Sequence, residues 1–522
     1  MAAHAQGSGS AATTGILAFL IILILVGIIF VSDNLLQIEA KQMGVEDSGK
    51  NFSIFPGASE IFGAKLPNYV NGYPTVNLTK GFDITVEGEA PETYIEVDAA
   101  KTFSINPKDF IGLAPIPKLA VKAGDEVKAG DELFFDKNNP DVKFVAPVSG
   151  EVVEVKRGEK RSIEDIIILA DKEQQYKAFG EFDYASASRE AIVERLMSAG
   201  LWPLIRQRPY NVVASGEEIP RDIFISTFDS APLAPNLSFV IQGKEAAFQK
   251  GLDVLAKLTN GKVYLGLDAN GEKAPSSAFT DADNTDKVWF KGPHPAGNVG
   301  IQIHKINPIN KGEIVWTLNV QDVVTLGVFA SEGVYRPEKV VVAVGAELKN
   351  RGYFKTTVGA NLNPVFVDNL ETDHVRYISG DLLTGKQIAA DGFLSFYEDQ
   401  ITIIEEGDEY ELFGWLLALK PRPTVGNAFP KLKDFDYHVT TNTHGEKRAF
   451  VVTGQYEKVL PMDIYPQHLF KSIIINDFEK MEGLGIYELV EEDVALCEFA
   501  CTSKQPLQQL LREGLDNLRA QG

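Results

Sequence analysis

The chain has 522 residues, 44% of them apolar and 10% aromatic, enough to fill about three domains and too much for a disordered protein. Fifty basic residues face 72 acidic ones, and the formal charge of −22 weighs against nucleic acid and against electrostatic adhesion to anionic lipid. With only Cys497 and Cys501 no disulfide framework is open to it, and this usage fits a reducing compartment.

No Asp, Glu, Lys or Arg appears from Met1 to Ser32, and residues 15–31 carry no polar side chain. As a helix, residues 11–31 span about 30 Å, the thickness of a bilayer core. Their fourteen Leu, Ile, Val and Phe residues are worth roughly −4 to −8 kcal/mol of insertion free energy. A secretory signal fits poorly, because no basic residue precedes the run and no small-x-small site follows Phe30. Residues 1–32 therefore read as a single-pass anchor, its transmembrane helix at about 11–31. Lys41 and Lys50 follow the helix, which places the bulk of the chain in the cytoplasm. The sequons at Asn51, Asn77 and Asn236 are then chance matches.

Residues 33–76, rich in Gly, Asn, Ser and Pro, read as a tether and connecting loop. The next unit, 77–174, is expected to be a barrel-sandwich hybrid, with a leading strand near 81–86 and its end near 163–169. Gly124-Asp125 and Gly130-Asp131 punctuate short β-branched runs, the mark of tight turns between short strands. The pattern resembles the biotinyl/lipoyl carrier hammerhead, in which a lysine at a hairpin tip carries the cofactor. Counting back from Ala146-Pro147 puts that tip near Asn138-Asn139-Pro140-Asp141, with Asn139 in place of the lysine and Lys137 off register. The basic run 156–161 reads as a solvated hairpin.

From about Gln175 helices and strands alternate, which implies a doubly wound, Rossmann-like α/β domain over 175–337. A helix is expected at 187–198 and strands at 222–228, 237–242 and 262–267. Between the last two lies an amphipathic helix, 244–258, with Phe248, Leu252, Leu255 and Leu258 on one face and a left-handed stop at Asn260-Gly261. Residues 338–430 read as a small ubiquitin-like α+β domain of the SLBB type, opening on a buried strand at 340–344. The remainder, 431–522, is mainly helical. Pro506 starts a helix in which Leu507, Leu510, Leu511, Leu515 and Leu518 form a packing stripe. The whole is thus a mixed α+β and α/β multidomain protein.

Catalytic motifs do not appear: there is no Gly-x-Gly-x-x-Gly after a strand, no phosphate loop, no His-Glu-x-x-His and no Gly-x-Ser-x-Gly. His294, in Gly292-Pro-His-Pro-Ala-Gly297, and His304 share no helical face with a further ligand, so a proline-flanked turn is the expected role of the first. Cys497 and Cys501 are half a ligand set for a cluster or zinc, and burial as small apolar side chains is expected. No catalytic, cofactor-binding or metal-binding residue is assigned.

These fragments in this order resemble the A subunit of the sodium-translocating NADH:quinone reductase. The resemblance runs from about Val76 to the C-terminus. It is carried by Leu78-Thr-Lys-Gly-Phe-Asp83, Lys143-Phe-Val-Ala-Pro147, Glu154-Val-Lys-Arg-Gly-Glu-Lys-Arg161, Ser198-Ala-Gly-Leu-Trp202, Gly292-Pro-His-Pro-Ala-Gly297, Ile378-Ser-Gly-Asp-Leu-Leu-Thr-Gly385, Leu412-Phe-Gly-Trp415 and Glu492-Asp-Val-Ala-Leu-Cys497. It implies a cytoplasmic-side subunit of a six-subunit inner-membrane enzyme that oxidises NADH, reduces quinone and exports sodium. The other five subunits would be its partners, chiefly the quinone-reducing B subunit in the membrane. It also implies kinship with the C subunit of the Rnf complex and the NADH-oxidising flavoprotein subunit of complex I. Those relatives bind FMN through a glycine-rich loop; here Ser198-Ala-Gly-Leu-Trp-Pro203 stands at the corresponding place, and only two cysteines remain. The expectation is a subunit that binds no cofactor itself, flavins, iron–sulfur, NADH and quinone being handled by other subunits. A direct quinone-binding role and a biotinyl/lipoyl-type carrier role are the alternatives. Members of this family begin near Leu78, so roughly 75 residues, the anchor included, are additional here.

Overall fold

The computed structural model describes residues 19–21, 23–25, 27–28, 31–32, 66–113, 116–409, 421–426 and 435–521. The chain divides into two compact units, Met1–Asn68 and Tyr69–Gly522. In the first, the described residues between Phe19 and Ser32 are helical, and Phe19, Leu20, Ile21, Leu23, Ile24, Leu25, Ile28 and Val31 are all exposed. Among the described residues no helix is long and apolar enough to cross a membrane. The spanning helix expected at 11–31 is therefore not seen there, and much of it, with most of the tether at 33–65, lies outside the described residues, as does the motif at 412–415.

The second unit opens on β1 (Thr75–Asn77), which does not belong to the tether. It pairs in parallel with Trp289, Phe290 and Lys291 and becomes the edge of the α/β sheet. The leading strand expected at 81–86 does not form either. Gly81 and Phe82 donate their N–H groups to Lys458 O and His294 O, and Val86 makes one isolated bridge to Tyr437. Partners far away in sequence claim these backbone groups, so a local run of apolar residues is not read out as a strand.

The barrel-sandwich hybrid comprises β2 (Thr102–Ile105), β3 (Lys118–Leu119), β4 (Glu126–Val127), β5 (Glu132–Phe135), β6 (Lys143–Val145), β7 (Gly150–Arg157) and β8 (Ile163–Ala170). Strands β2-β8-β7-β4 form one sheet and β3-β5-β6 the other. Alternating inward residues such as Val152, Ile166 and Ile168 are fully buried between them.

The α/β domain follows with α1 (Arg189–Ser198), β9 (Arg206–Arg208), β10 (Val212–Val213), β11 (Ile223–Ser226), α2 (Leu237–Val240), α3 (Glu245–Leu255), β12 (Val263–Asp268), β13 (Asp286–Lys291), α4 (Val299–Ile306), β14 (Val315–Thr317) and α5 (Val320–Glu332). Its sheet runs β1-β13-β12-β11-β14-β9-β10, parallel except for the last two pairings. The strand expected at 237–242 is instead the one-turn helix α2. Asn236 caps it, accepting from Ser238 N at 2.9 Å, which turns a short apolar run that could serve either element into a helix. Helix α3 forms as expected, with Phe248, Leu252 and Leu255 wholly buried. Its expected left-handed stop is absent: neither Asn260 nor Gly261 has a positive φ. Gly261 serves close packing, since a Cβ there would lie 1.9 Å from Arg221 O. Helices α3 and α5 cross so tightly that a Cβ on Gly327 would stand 1.7 Å from Ala247 O.

The ubiquitin-like sheet is built from β15 (Glu338–Val344), β16 (Gly352–Thr357), β17 (Val375–Ser379), β18 (Lys386–Ile388) and β19 (Gln400–Glu405), in the order β16-β15-β19-β17-β18 with only β15 and β19 parallel. The C-terminal helices include α6 (Pro466–Ile474), α7 (Glu491–Ala500) and α8 (Leu507–Gln521). Leu507, Leu511, Leu515 and Leu518 of α8 are buried among Leu469, Phe470 and Cys497, so the leucine stripe is spent within the chain.

Candidate functional site

The hairpin tip that carries the cofactor in carrier domains lies between β5 and β6. Asn139 is half-buried there and Lys137 exposed. The tip is anchored: Phe134 and Phe144 stack at 4.6 Å, and Phe110 joins Phe144 at 4.5 Å to Phe396 of the ubiquitin-like domain at 4.7 Å. Beside it opens a cavity of about 350 Å³, lined among others by Ile111, Asn138, Asn139, Tyr210, Val212 and Arg519.

At Ser198-Ala-Gly-Leu-Trp-Pro203 the chain leaves α1. Gly200 has φ +75°, and a Cβ there would stand 2.4 Å from Val145 Cγ1, which pins this turn against β6. Trp202 is fully buried, its indole Nε1 donates to Ala214 O at 2.7 Å, and its ring meets Trp316 edge-on at 5.4 Å. Tyr397 Oη donates to Pro203 O at 2.7 Å and closes the other side. Leu201, Trp202 and Leu204 are all buried at this turn.

Cys497 and Cys501 are buried. Burial pushes the Cys497 thiol up, and Cys501 Sγ lies 2.9 Å from Tyr456 Oη. Among the described residues no three His, Cys, Asp or Glu side chains converge to hold a metal ion. His304 is fully engaged, Nε2 accepting from Asp463 N at 3.0 Å, so that Nδ1–H donates to Glu488 Oε2 at 2.7 Å. The run 156–161 is exposed at the β7–β8 turn apart from half-buried Gly158, and Lys156 Nζ lies 3.7 Å from Asp165 Oδ2. His294 does sit in a proline turn, with a cis bond to Pro295.

Two features had no sequence signal. The first is Arg208, which ends β9 and is almost wholly buried. Its Nη1 donates to Asp493 Oδ2 at 2.9 Å and its Nη2 to Glu492, both at the start of α7. Asp493 also accepts from Val490 N at 3.0 Å, capping that helix. Desolvation opposes the charge on Arg208, but Asp493 and Glu492 outweigh it and raise the guanidinium further. Burial pulls the Asp493 carboxyl upward against the guanidinium. With two strong donors on the carboxylate, the pair is ionic.

The second is a polar crevice of about 50 Å³ where the α/β domain, the ubiquitin-like domain and α7 meet, lined by Asp229, His294, Asn298, Asp381, Thr384 and Glu492, with Ala231, Leu383 and Ala495. Asp229 is crowded by protein yet keeps surface open to water. Desolvation, then Asp381, push its carboxyl up to about 7. Desolvation likewise takes nearby Glu398 up to about 8, with Asp381 and Asp399 adding to it. The His294 ring is held low by desolvation, against the pull of Asp381 and Asp83.

Barrel-sandwich hybrid, doubly wound α/β domain, ubiquitin-like sheet and terminal helices in one chain define a class: multidomain proteins that keep a carrier-type domain without its attachment lysine. Three family models match in register with this order. They are the NqrA N-terminal barrel-sandwich hybrid domain over residues 76–171, the NqrA second alpha/beta domain over 187–335 and the NQRA C-terminal domain over 340–390. The Na(+)-translocating NADH-quinone reductase A subunit of Saccharophagus degradans is 36% identical over 454 residues, covering 86% of this chain and 100% of that protein. The same subunit of Vibrio alginolyticus is 35% identical over 453 residues, with the same coverage. The chain belongs to the family of the A subunit of the Na(+)-translocating NADH-quinone reductase. Among solved structures, the NAD+-reducing [NiFe]-hydrogenase in the air-oxidized state aligns with a TM-score of 0.31 and 12% identity over 67% of each chain, too slight a likeness to bear on function.

Proposed function

We propose that this chain is a subunit of a sodium-translocating NADH:quinone reductase and contributes by contact, carrying no electrons itself. Family membership over 86% of the chain supports the first part. The observation that carries the second is Trp202, packed at 0% exposure in the turn where the resemblance would set a flavin-binding glycine loop. Cys497 and Cys501 are both buried, as small apolar side chains would be. In this reading the chain sits on the cytoplasmic side of the inner membrane and holds cytoplasmic parts of the quinone-reducing membrane subunit. NADH, flavins, iron–sulfur and quinone chemistry belong to the other five subunits. The exposed apolar side chains from Phe19 to Val31 support attachment to the membrane through the N-terminal segment. Deleting the gene segment for residues 69–522 should abolish assembly and quinone-reductase turnover in membranes; intact turnover without it overturns the reading.

A second reading, direct quinone binding, is favoured by the 350 Å³ cavity, whose volume suits a small ring and whose wall combines Ile111 and Val212 with the donors Asn139 and Arg519. Photolabelling with a quinone analogue that marks only other subunits removes it. A carrier role is opposed by Asn139, and intact mass without biotin or lipoate disposes of it.

A further inference from the structure

Between Gly445, at φ +159°, and Gly454, at φ +69°, residues 446–453 run without helix, turn or bend. At about 3.3 Å per residue such a stretch reaches roughly 25 Å. Its core, Arg448-Ala-Phe-Val-Val-Thr453, is rich in the β-branched and aromatic residues that favour strands. One end is fastened to the turn before α8: Arg448 N donates to Ser503 O at 2.9 Å, and Ser503 Oγ to Ala449 O at 3.0 Å. The other end is fastened to α6, Thr453 N donating to Gln467 Oε1 at 2.6 Å. Between them Phe450 is half-buried, its ring 6.0 Å from that of Tyr456. Val451 and Val452 are 54% and 52% exposed.

No sheet claims this stretch. Among the described residues the backbone N–H and C=O groups of Phe450, Val451 and Val452 have no hydrogen-bond partner. In an extended chain these groups alternate between two sides, which makes the segment a template for a further strand. Local preference for a sheet that the fold does not supply is the kind of conflict folded chains retain at functional sites. The surrounding charge is also the reverse of the chain as a whole. Lys447, Arg448 and Lys471 are exposed, and a Cβ on Gly445 would lie 3.8 Å from Lys504 Cε. None of these four cations forms an ion pair among the described residues. Against them stand Glu446 and Glu457, the latter accepting from Gln467 Nε2 at 3.3 Å.

We propose that residues 448–453 are a docking strand, paired edge to edge with an extended acidic and apolar segment of a neighbouring reductase subunit. The inference rests on the reading of this chain as a subunit of the reductase. A second copy of the chain would bring the same cations against these. An anionic bilayer surface suits valines and lysines, but it would cover the free backbone groups without pairing them, at a cost for each. A partner strand pairs those groups, covers Val451 and Val452, and meets the cations with carboxylates.

The test compares the purified full chain with the detergent-solubilised reductase that contains it. Backbone hydrogen exchange should be fast at Val451 and Val452 in the free chain and at least about tenfold slower in the complex. A benzophenone amino acid in place of Val451 should cross-link on illumination to an acidic stretch of another subunit. Val451→Pro removes an N–H that the free chain does not use, and Val452→Glu opposes the partner's carboxylates. Both should leave the melting temperature of the free chain unchanged and release it from the complex at lower salt. Equal exchange in the two forms, or variants held to the same salt concentration, overturns the docking strand and leaves the subunit reading in place. Cross-links to lipid, or only to a second copy, overturn the assignment of the occupant. A chain that never co-purifies with the reductase overturns the subunit reading and this occupant with it.

Discussion

Arg208 and Asp493 form an ion pair at 2.9 Å with 2% and 0% of their side chains exposed, joining β9 of the α/β sheet to the first turn of α7. No room is spared around it: a Cβ on Gly300 would lie 2.3 Å from Asp493 Oδ1 and 2.4 Å from Arg208 Nη1. Removing Asp493 leaves the buried guanidinium to Glu492 alone, a loss of up to about 3–5 kcal/mol, whereas replacing both partners by apolar groups costs far less. Asp493→Ala should therefore lower the denaturation midpoint severely, and Arg208→Met combined with Asp493→Leu should recover most of the loss in a double-mutant cycle. Additive losses would mean the pair is not coupled.

Trp202 makes a distinct prediction, because it fills space and carries no charge. Trp202→Ala should destabilise the chain by about 3–5 kcal/mol through the cavity and the lost bond to Ala214 O. The cavity does not create a phosphate cradle, so FMN added to the variant should leave no bound flavin absorbance after desalting.

The thiols should be silent. With Cys497 buried and its thiol pushed up, alkylation by iodoacetamide should proceed only after unfolding. Cys497→Ala should cost about 1 kcal/mol and leave turnover of the assembled reductase unchanged. A drop in turnover larger than the drop in assembled enzyme would give the thiol a chemical role.

Asp229 and Glu398 predict a pH dependence. Their ordinary values, 3.8 and 4.5, rise in the fold to about 7 and about 8. Between those limits the folded chain holds protons that the unfolded chain has released, so stability from these groups is present below about pH 4 and falls as the pH rises toward 8. Part of the effect is relieved by water reaching Asp229. Melting temperatures from pH 4 to 8 should therefore diverge, with the Asp229→Asn, Glu398→Gln variant gaining on the parent as the pH increases. Parallel curves contradict the crowding of carboxyls in this crevice.

The domain order was legible because each domain has a strong local grammar: Gly-Asp turns in the barrel-sandwich hybrid, the 3.6-residue stripe of α3, the leucines of α8. What local patterns missed were the places decided at long range. Strand β1 forms because Trp289–Lys291 offer it an edge, and residues 81–86 fail to pair because Lys458 and His294 take their N–H groups. Arg208 gave no signal since Asp493 lies 285 residues away, and Asp229 and Asp381 read as ordinary turn residues until two domains bring them together. The bulk of Leu201 and Trp202 after α1 was visible in the letters, because side-chain size is a local property.

The account turns on whether this chain carries electrons, and the flavin and iron content of the purified full-length chain, read with its visible spectrum, decides that most directly. A colourless protein with less than about a tenth of an equivalent of either is the result expected from Trp202 and the buried thiols. Stoichiometric flavin or a cluster absorbance on the isolated chain would contradict it.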